Sequence, residues 1–279
     1  MRNIYITFLF LIFCSMAYAQ EQAKYRVTYD CDAQVVTSKT NTYRWTLDIG
    51  ETTAVFYNNN YRLYSSELAK VKAQGGDNAM IDQLPVISGK YFPKNDLQIV
   101  VGSPDKGEYI YYKQVLNSGL KYVDALPVIE WQLTDSTKTI CEYECKQAVG
   151  SVYGRTWTVW YSIELPLNYG PYILNGLPGL IMAARDSEGL FDFKAVGVEN
   201  APENALVSVY KEDSHQKCTR KRFLQLRSES EGINKDQLVD RILSQTTSGE
   251  KVIVYTVSGT DAKVDNEVEV PKYNHLDKE

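Results

Sequence analysis

The sequence predicts a mainly β protein with a few helices: a curved antiparallel sheet or half-open barrel, with the helices packed on one side or at one end. Three observations predict it. Apolar and polar residues alternate along most of the chain, as where Tyr25, Val27, Tyr29 and Cys31 interleave with Arg26, Thr28 and Asp30. A period of two marks a strand with one buried face. Turn residues punctuate those runs, Asp186-Ser187-Glu188-Gly189 most clearly. Aromatic residues are abundant, with 21 Tyr, 4 Trp and 8 Phe, and many fall on single strand faces, where rings fit the pleat.

The first segment stands apart from that sheet. Met1-Arg2-Asn3 is a short basic start, residues 4–16 are almost all apolar, and Ala17-Tyr18-Ala19 puts small residues before Gln20. This is the pattern of a secretory signal peptide over 1–19. The apolar run is shorter than the ~20 residues that span a bilayer. Phe13 is bulky where lipoprotein processing at Cys14 wants a small residue. The expected product is therefore a periplasmic or secreted chain without a lipid. It carries one β-rich domain over 20–259 and a flexible charged tail over 260–279, with no transmembrane span.

The elements follow in order. Tyr43, Trp45 and Leu47 alternate with Arg44, Thr46 and Asp48, and Asp48-Ile49-Gly50 turns the chain into a strand at 53–57. Residues 61–74 read as a short helix stopped by Gly75-Gly76, followed by a long loop to Asn95. Strands resume at 98–102 and 109–115, with a turn at Asn117-Ser118-Gly119. Ile129, Trp131 and Leu133 share one strand face, and Cys141, Tyr143 and Cys145 another. Trp157, Val159, Tyr161 and Ile163 share a face over 155–163. Residues 180–184 and 190–196 flank the Asp186–Gly189 turn, and further strands are expected at 206–210 and 252–257. Helical spacing returns at Phe223, Leu224 and Leu226. It appears again, capped by Asn234, at Leu238, Val239, Ile242 and Leu243.

Charge and cysteine content narrow the chemistry. A formal net charge of −5 is a poor match for general nucleic-acid binding. The basic cluster at 217–222 reads as the solvated face of a helix. Cys31, Cys141, Cys145 and Cys218 remain after the leader, in a compartment where disulfides persist. On one strand, Cys141 and Cys145 would lie about 13 Å apart, too far to bond to each other, so each would pair with Cys31 or Cys218. The same spacing argues against a metal held by Cys141, Cys145 and His215. Asp261, Asp265, Glu267 and Glu269 lack the glycine and spacing of a calcium loop. No hydrolase elbow, zinc-protease or phosphate-loop motif is present, and no cofactor motif. His215 and His275 both lie in polar C-terminal contexts.

The middle of the chain carries its most specific pattern. Ile129-Glu130-Trp131, Cys145-Lys146-Gln147-Ala148, Gly154-Arg155, Trp160-Tyr161 and Gly170-Pro171-Tyr172 lead to Gly176-Leu177-Pro178-Gly179-Leu180-Ile181. In these residues, over about 125–197, the chain resembles the GLPGLI family. The resemblance implies a small exported protein of a gram-negative bacterium, mostly without an assigned biochemical role, from genes often near outer-membrane receptors. The hexapeptide has its own physical reading: Pro178 suits the second position of a type II turn and Gly179 the positive φ that follows. Leu177 and Leu180 then anchor that turn in the core.

Arg155 falls on the apolar face of Trp157, Val159 and Tyr161. Such an arginine must be paired, for instance with Asp186, or must reach the rim. The alternative is an anion-binding group at the mouth of an apolar cavity. Arg155, Trp160, Tyr161, Tyr172, Pro178 and Gly179 are the candidate residues for a ligand or partner. A tyrosine-lined curved sheet suits a lipophilic, peptide or sugar ligand. The expected function is a non-enzymatic periplasmic binding or accessory protein, which either carries a lipophilic or peptide ligand or docks on an outer-membrane receptor. The rivals are a hydrolase with thiol chemistry at Cys145 or carboxylate chemistry, and a metal chaperone.

Overall fold

The computed structural model describes residues 21–36, 39–102, 107–116, 118–231 and 275–277. The leader at 1–19, the strand expected at 252–257, the helix expected from Asn234 and all of the tail except 275–277 lie outside the described residues. The fold is mainly β, as the alternation predicts. Strands are numbered in chain order. At the centre of a twelve-stranded sheet lies β2 (Tyr25–Val36). On one side follow β3 (Lys39–Ile49), β4 (Thr53–Asn58), β5 (Gln98–Gly102), β6 (Glu108–Val115) and β7 (Ser118–Ala125), all antiparallel neighbours. The short β14 (His215–Lys217) adds to β7 in parallel. On the other side of β2 come β12 (Phe191–Asn200), β11 (Leu180–Asp186), β10 (Arg155–Ser162), β9 (Tyr143–Val152) and β8 (Gln132–Ile140). A separate ladder joins β1 (Glu21–Gln22) to β13 (Leu206–Val207). The sheet does not close into a barrel: β8 and β14 are its two edges.

The two wings of the sheet share one core. A row of rings connects them. Trp45 of β3 stacks on Phe56 of β4 at 4.8 Å, Phe56 meets Phe193 of β12 edge-on at 6.2 Å, and Phe193 lies 6.3 Å from Trp157 of β10. Phe56, Trp157 and Phe193 have no exposed surface, and burying each large ring contributes about 2–3 kcal/mol. Hydrogen bonds tie the wings as well. The Tyr29 hydroxyl donates to the Ile181 carbonyl at 2.7 Å, and the Tyr109 and Tyr153 hydroxyls lie 3.2 Å apart. The shared face of β10 is present, with Arg155, Trp157, Val159 and Tyr161 all buried, but it ends there: Ile163 is exposed.

Two helices accompany the sheet. Helix α2 (Arg220–Glu231) carries the spacing of Phe223, Leu224 and Leu226 and packs the wholly buried Phe223 against the stacked pair Tyr111 and Tyr122, at 5.3 and 5.2 Å. Helix α1 (Asn59–Lys90) is longer than the alternation implies. Its first part is capped by Asn58, whose side chain accepts from the Tyr61 amide at 3.0 Å. Gly76 leaves the helical region at φ 72° and kinks the chain, but the helix resumes to Lys90, with Pro85 inside it. The expected long loop is therefore mostly helix. Its Gly, Asn, Ser and Pro residues are turn formers whose local preference is only a weak prior. No helix among the described residues is long and apolar enough to cross a membrane.

Two other expectations are corrected. Cys141, Tyr143 and Cys145 do not lie on one strand. Cys141 and Glu142 form the turn between β8 and β9, both at positive φ (48° and 71°), the geometry of a tight type I′ hairpin. The 13 Å separation therefore does not apply. The turn at Pro178 also differs. Gly179 is not among the positive-φ glycines; Gly176, at φ 90°, is. What demands glycine at 179 is space, since a Cβ there would lie 2.0 Å from the Ser162 carbonyl oxygen. The anchoring leucines are as expected: Leu177 and Leu180 are buried.

Gly179→Ala should therefore destabilise the fold by about 2–3 kcal/mol through backbone displacement, read from urea unfolding midpoints. A neutral effect would show that β11 and the end of β10 do not approach as closely as described.

Candidate functional site

A cavity of about 310 Å³ opens between the wings of the sheet. Alternation builds its walls. Tyr43 and Trp45 on β3 are two residues apart and so share a face, as do Phe191 and Phe193 on β12. Cys31 of β2 pairs with Tyr43 on one side and with Phe193 on the other, which sets the three strands' contributions side by side. Tyr111 of β6 and Leu97, just before β5, face them. The mouth is polar: Lys113, Arg227, Glu231, His275 and Asp277 line it.

The ions at the mouth are already matched. Lys113 Nζ lies 3.0 Å from Asn95 Oδ1 and 3.1 Å from Asp96 Oδ1. Arg227 Nη1 donates to Asp277 Oδ1 at 3.0 Å, and Arg220 Nη2 lies 3.6 Å from the other carboxylate oxygen. His275 Nε2 lies 2.8 Å from Glu231 Oε1 without hydrogen-bond geometry. Burial, followed by the Arg227 charge, holds the His275 pKa below the usual histidine value, against the opposing pull of Glu231. The imidazole is neutral at pH 7. His275 is thus not part of a loose tail: the residues 275–277 are docked, with Asp277 4% exposed.

Arg155 stands beside this region but does not line the cavity. It is 3% exposed and fully engaged. Its Nη1 donates to Asp186 at 2.6 Å and to Glu188 at 3.1 Å, while Nε and Nη2 both donate to the His275 carbonyl at 2.8 and 2.6 Å. The pairing with Asp186 is as expected. The carbonyl of His275 is a partner that the sequence did not suggest.

None of the six candidate residues lines the cavity. Trp160 alternates to the opposite face of β10 from Arg155 and Tyr161, with the Lys138 ammonium 4.2 Å over its ring. Tyr161 and Tyr172 are buried in the core. Pro178 is exposed on its loop and Gly179 is packed against the Ser162 backbone. The residues that do form the site were partly visible: Tyr43, Trp45 and Tyr111 sit on alternating faces. The link between α2 and the C-terminal residues had no local signal, since Arg227 and Asp277 are 50 positions apart.

The cysteine expectations resolve differently. All four described cysteines are free thiols. Cys145 has no exposed surface, and burial pushes its pKa to about 11. Burial also raises Cys31, Cys141 and Cys218. A thiol so disposed is a poor nucleophile at neutral pH. The proposed metal set is not assembled: Cys141 and Cys145 belong to the β8–β9 edge, whereas His215 sits on β14 at the other edge. Among the described residues no group of three or more His, Cys, Asp or Glu could hold a metal ion.

Fold and site together define a β-rich protein whose open sheet is wrapped around an aromatic cavity. No protein-family model matches the chain, and no curated protein matches it. Among solved structures it is similar to PNGF-II in a C2 crystal form. The match has a TM-score of 0.52 and 18% identity, and covers 76% of this chain and 34% of that one. A P21 crystal form of PNGF-II gives a TM-score of 0.48 over the same shares. The chain spans about a third of that protein's length, and the likeness is one of fold.

Replacing Arg155 by Met should cost about 3–5 kcal/mol, because it leaves Asp186 buried without its cation, as measured by chemical denaturation. A loss under 1 kcal/mol would mean that Asp186 is solvated. The His275 shift sets a pH dependence. A histidine whose pKa is lowered by folding binds fewer protons in the folded than in the unfolded chain, so stability falls as pH drops below the ordinary histidine value. Unfolding midpoints should decline between pH 7 and 5, and His275→Gln should flatten part of that decline. An unchanged slope would remove His275 as its source.

Proposed function

We propose that this chain is an exported, non-enzymatic binding protein that holds a small apolar molecule in the cavity between the wings of its sheet. The cavity walled by Tyr43, Trp45, Phe191 and Phe193 is the observation that carries this reading. Its volume falls at the lower end of the range for small-molecule sites, and aromatic walls with a few polar groups at the mouth are their usual lining. The chemistry of the mouth narrows the ligand class. Lys113 and Arg227 are each matched by a carboxylate, so the site offers no surplus positive charge to an anion. An uncharged, ring-bearing or branched apolar molecule fits better than a fatty-acid anion or a charged peptide. Export rests on the leader at 1–19, and a role beside an outer-membrane receptor rests on the resemblance to the GLPGLI family.

One observation favours a second reading, an acid–base enzyme. The neutral His275 beside Glu231 is an imidazole next to a carboxylate at the mouth of a cavity. Such a pair serves catalysis when it also faces a nucleophile. Among the described residues, no hydroxyl or thiol is hydrogen-bonded to that ring. Ser230, the hydroxyl nearest in sequence to Glu231, donates to the Arg227 carbonyl at 2.6 Å instead. The binding reading therefore accounts for more of the site.

Fluorescence titration of the full chain with N-phenyl-1-naphthylamine, a neutral apolar probe, tests this. One saturable site with an affinity of about 1–10 µM is expected. Trp45→Ala should weaken it by about tenfold or more, since a central aromatic wall carries much of such an affinity. Absence of saturation, or an affinity unchanged by Trp45→Ala, would rule out the cavity as the site.

A further inference from the structure

The residues 275–277 line the cavity and touch both wings of the sheet. On one wing, β10 supplies Arg155, whose Nε and Nη2 both donate to the His275 carbonyl at 2.8 and 2.6 Å. On the other, α2 packs on β6 and β7 through Phe223 and supplies Arg227 and Arg220 to Asp277, at 3.0 and 3.6 Å. Leu276 between them packs against the core. Among the described residues no strand ladder joins β8 to β14; Arg220 of α2 lies 4.8 Å over the Tyr153 ring, the Tyr109 and Tyr153 hydroxyls lie 3.2 Å apart, and 275–277 is the part of this crossing that lines the cavity.

The anchors share a property that buried ion pairs seldom have: each cation keeps a partner when the segment leaves. Arg155 retains Asp186 at 2.6 Å and Glu188 at 3.1 Å, so releasing a neutral carbonyl leaves no uncompensated buried charge. Arg220 retains Asp124 at 3.5 Å. Arg227 loses Asp277 but has Glu231 one helical turn on, on the same helix face, and the departing His275 frees that carboxylate. Removing one partner of a buried pair is normally prohibitive. Here the alternatives are built in, and the contact on Arg155 is to main chain.

From this we propose that His275–Asp277 is a reversible latch across the cavity mouth, closed by Arg155 and Arg227, whose opening admits and releases the ligand. Its purpose rests on the binding reading above; its motion does not. Two states follow. In the closed state Asp277 holds Arg227 and the segment forms one wall of the cavity. In the open state Arg227 turns to Glu231 and the mouth widens between β10 and α2.

Two measurements on the full chain test it. Hydrogen exchange reports the latch without any ligand. The amides of 275–277 should exchange by local opening, faster than those of β10 and α2. Asp277→Asn should speed them by about tenfold, while β10 and α2 stay as protected as before. Stopped-flow mixing with N-phenyl-1-naphthylamine reports access: both the association and the dissociation rates should rise by about tenfold in Asp277→Asn, with a much smaller change in Kd. Should that variant fold poorly, Arg227→Lys, which keeps the charge but loosens the geometry, is read the same way. Exchange at 275–277 that occurs only with global unfolding overturns the latch. So does a variant whose association rate is unchanged while only dissociation quickens, because Asp277 would then be an ordinary ligand contact. If the probe does not bind the unaltered protein but exchange at 275–277 responds as described, the latch stands and the binding reading falls.

Discussion

A guanidinium taken out of water must find partners for its donors, and Arg155 finds them on two sides. Asp186 and Glu188 neutralise its charge, and the His275 carbonyl accepts from its remaining fork. The cost of an unpaired buried charge makes this arrangement obligatory once Arg155 sits on the inner face of β10. It ties the C-terminal residues 275–277 to two parts of the chain that are already paired with each other, the start of β10 and the turn from β11 to β12. The same Asp186 accepts from the Phe191 amide at 2.8 Å, which sets where β12 begins and hence where Phe191 and Phe193 point. The cavity's aromatic wall thus depends on a charge that does not itself face the cavity.

Around that constraint the rest of the fold is ordinary sheet chemistry. Alternation sends one face of each strand inward, and the stacked row from Trp45 through Phe56 and Phe193 to Trp157 keeps the wings together without closing the sheet. An open sheet of this kind must manage its edges. β14 is only His215–Lys217, and β8 carries an irregularity between Leu133 and Thr137 that breaks its register with β9. Both are devices that discourage a foreign strand from adding on.

Much of this architecture was legible in the residues. The alternation in β2, β3 and β10, the exact span of β5 and the hairpin around Asp186–Gly189 follow from period and turn chemistry alone. The failures have distinct causes. Cys141-Glu142 turns the chain with two positive-φ residues that are not glycine, so no composition cue announced the hairpin. Gly179 is required because another backbone passes close by, a fact of tertiary packing that resembles a turn requirement in one dimension. The second half of α1 is rich in turn formers and still helical. Arg155 pairs with Asp186 as expected, whereas Trp160, Tyr161, Tyr172, Pro178 and Gly179, which belong to the pattern that resembles the GLPGLI family, do not line the cavity. The lining of the cavity gathers residues from β2, β3, β6, β12, α2 and the C-terminal residues. His275 looked dispensable because nothing local to it reveals Arg155, 120 positions away.

The central proposal is that the space bounded by Trp45, Phe193 and Leu276 takes an apolar molecule between two wings of an unclosed sheet. Crystals of the full chain soaked with a small brominated aromatic compound test it most directly, because bromine is located by its anomalous scattering without reference to any model of the ligand. The account predicts one strong anomalous peak within van der Waals reach of the Trp45 and Phe193 rings. A peak only on the outer face near Trp160, or a space between the wings filled by ordered water, would contradict it.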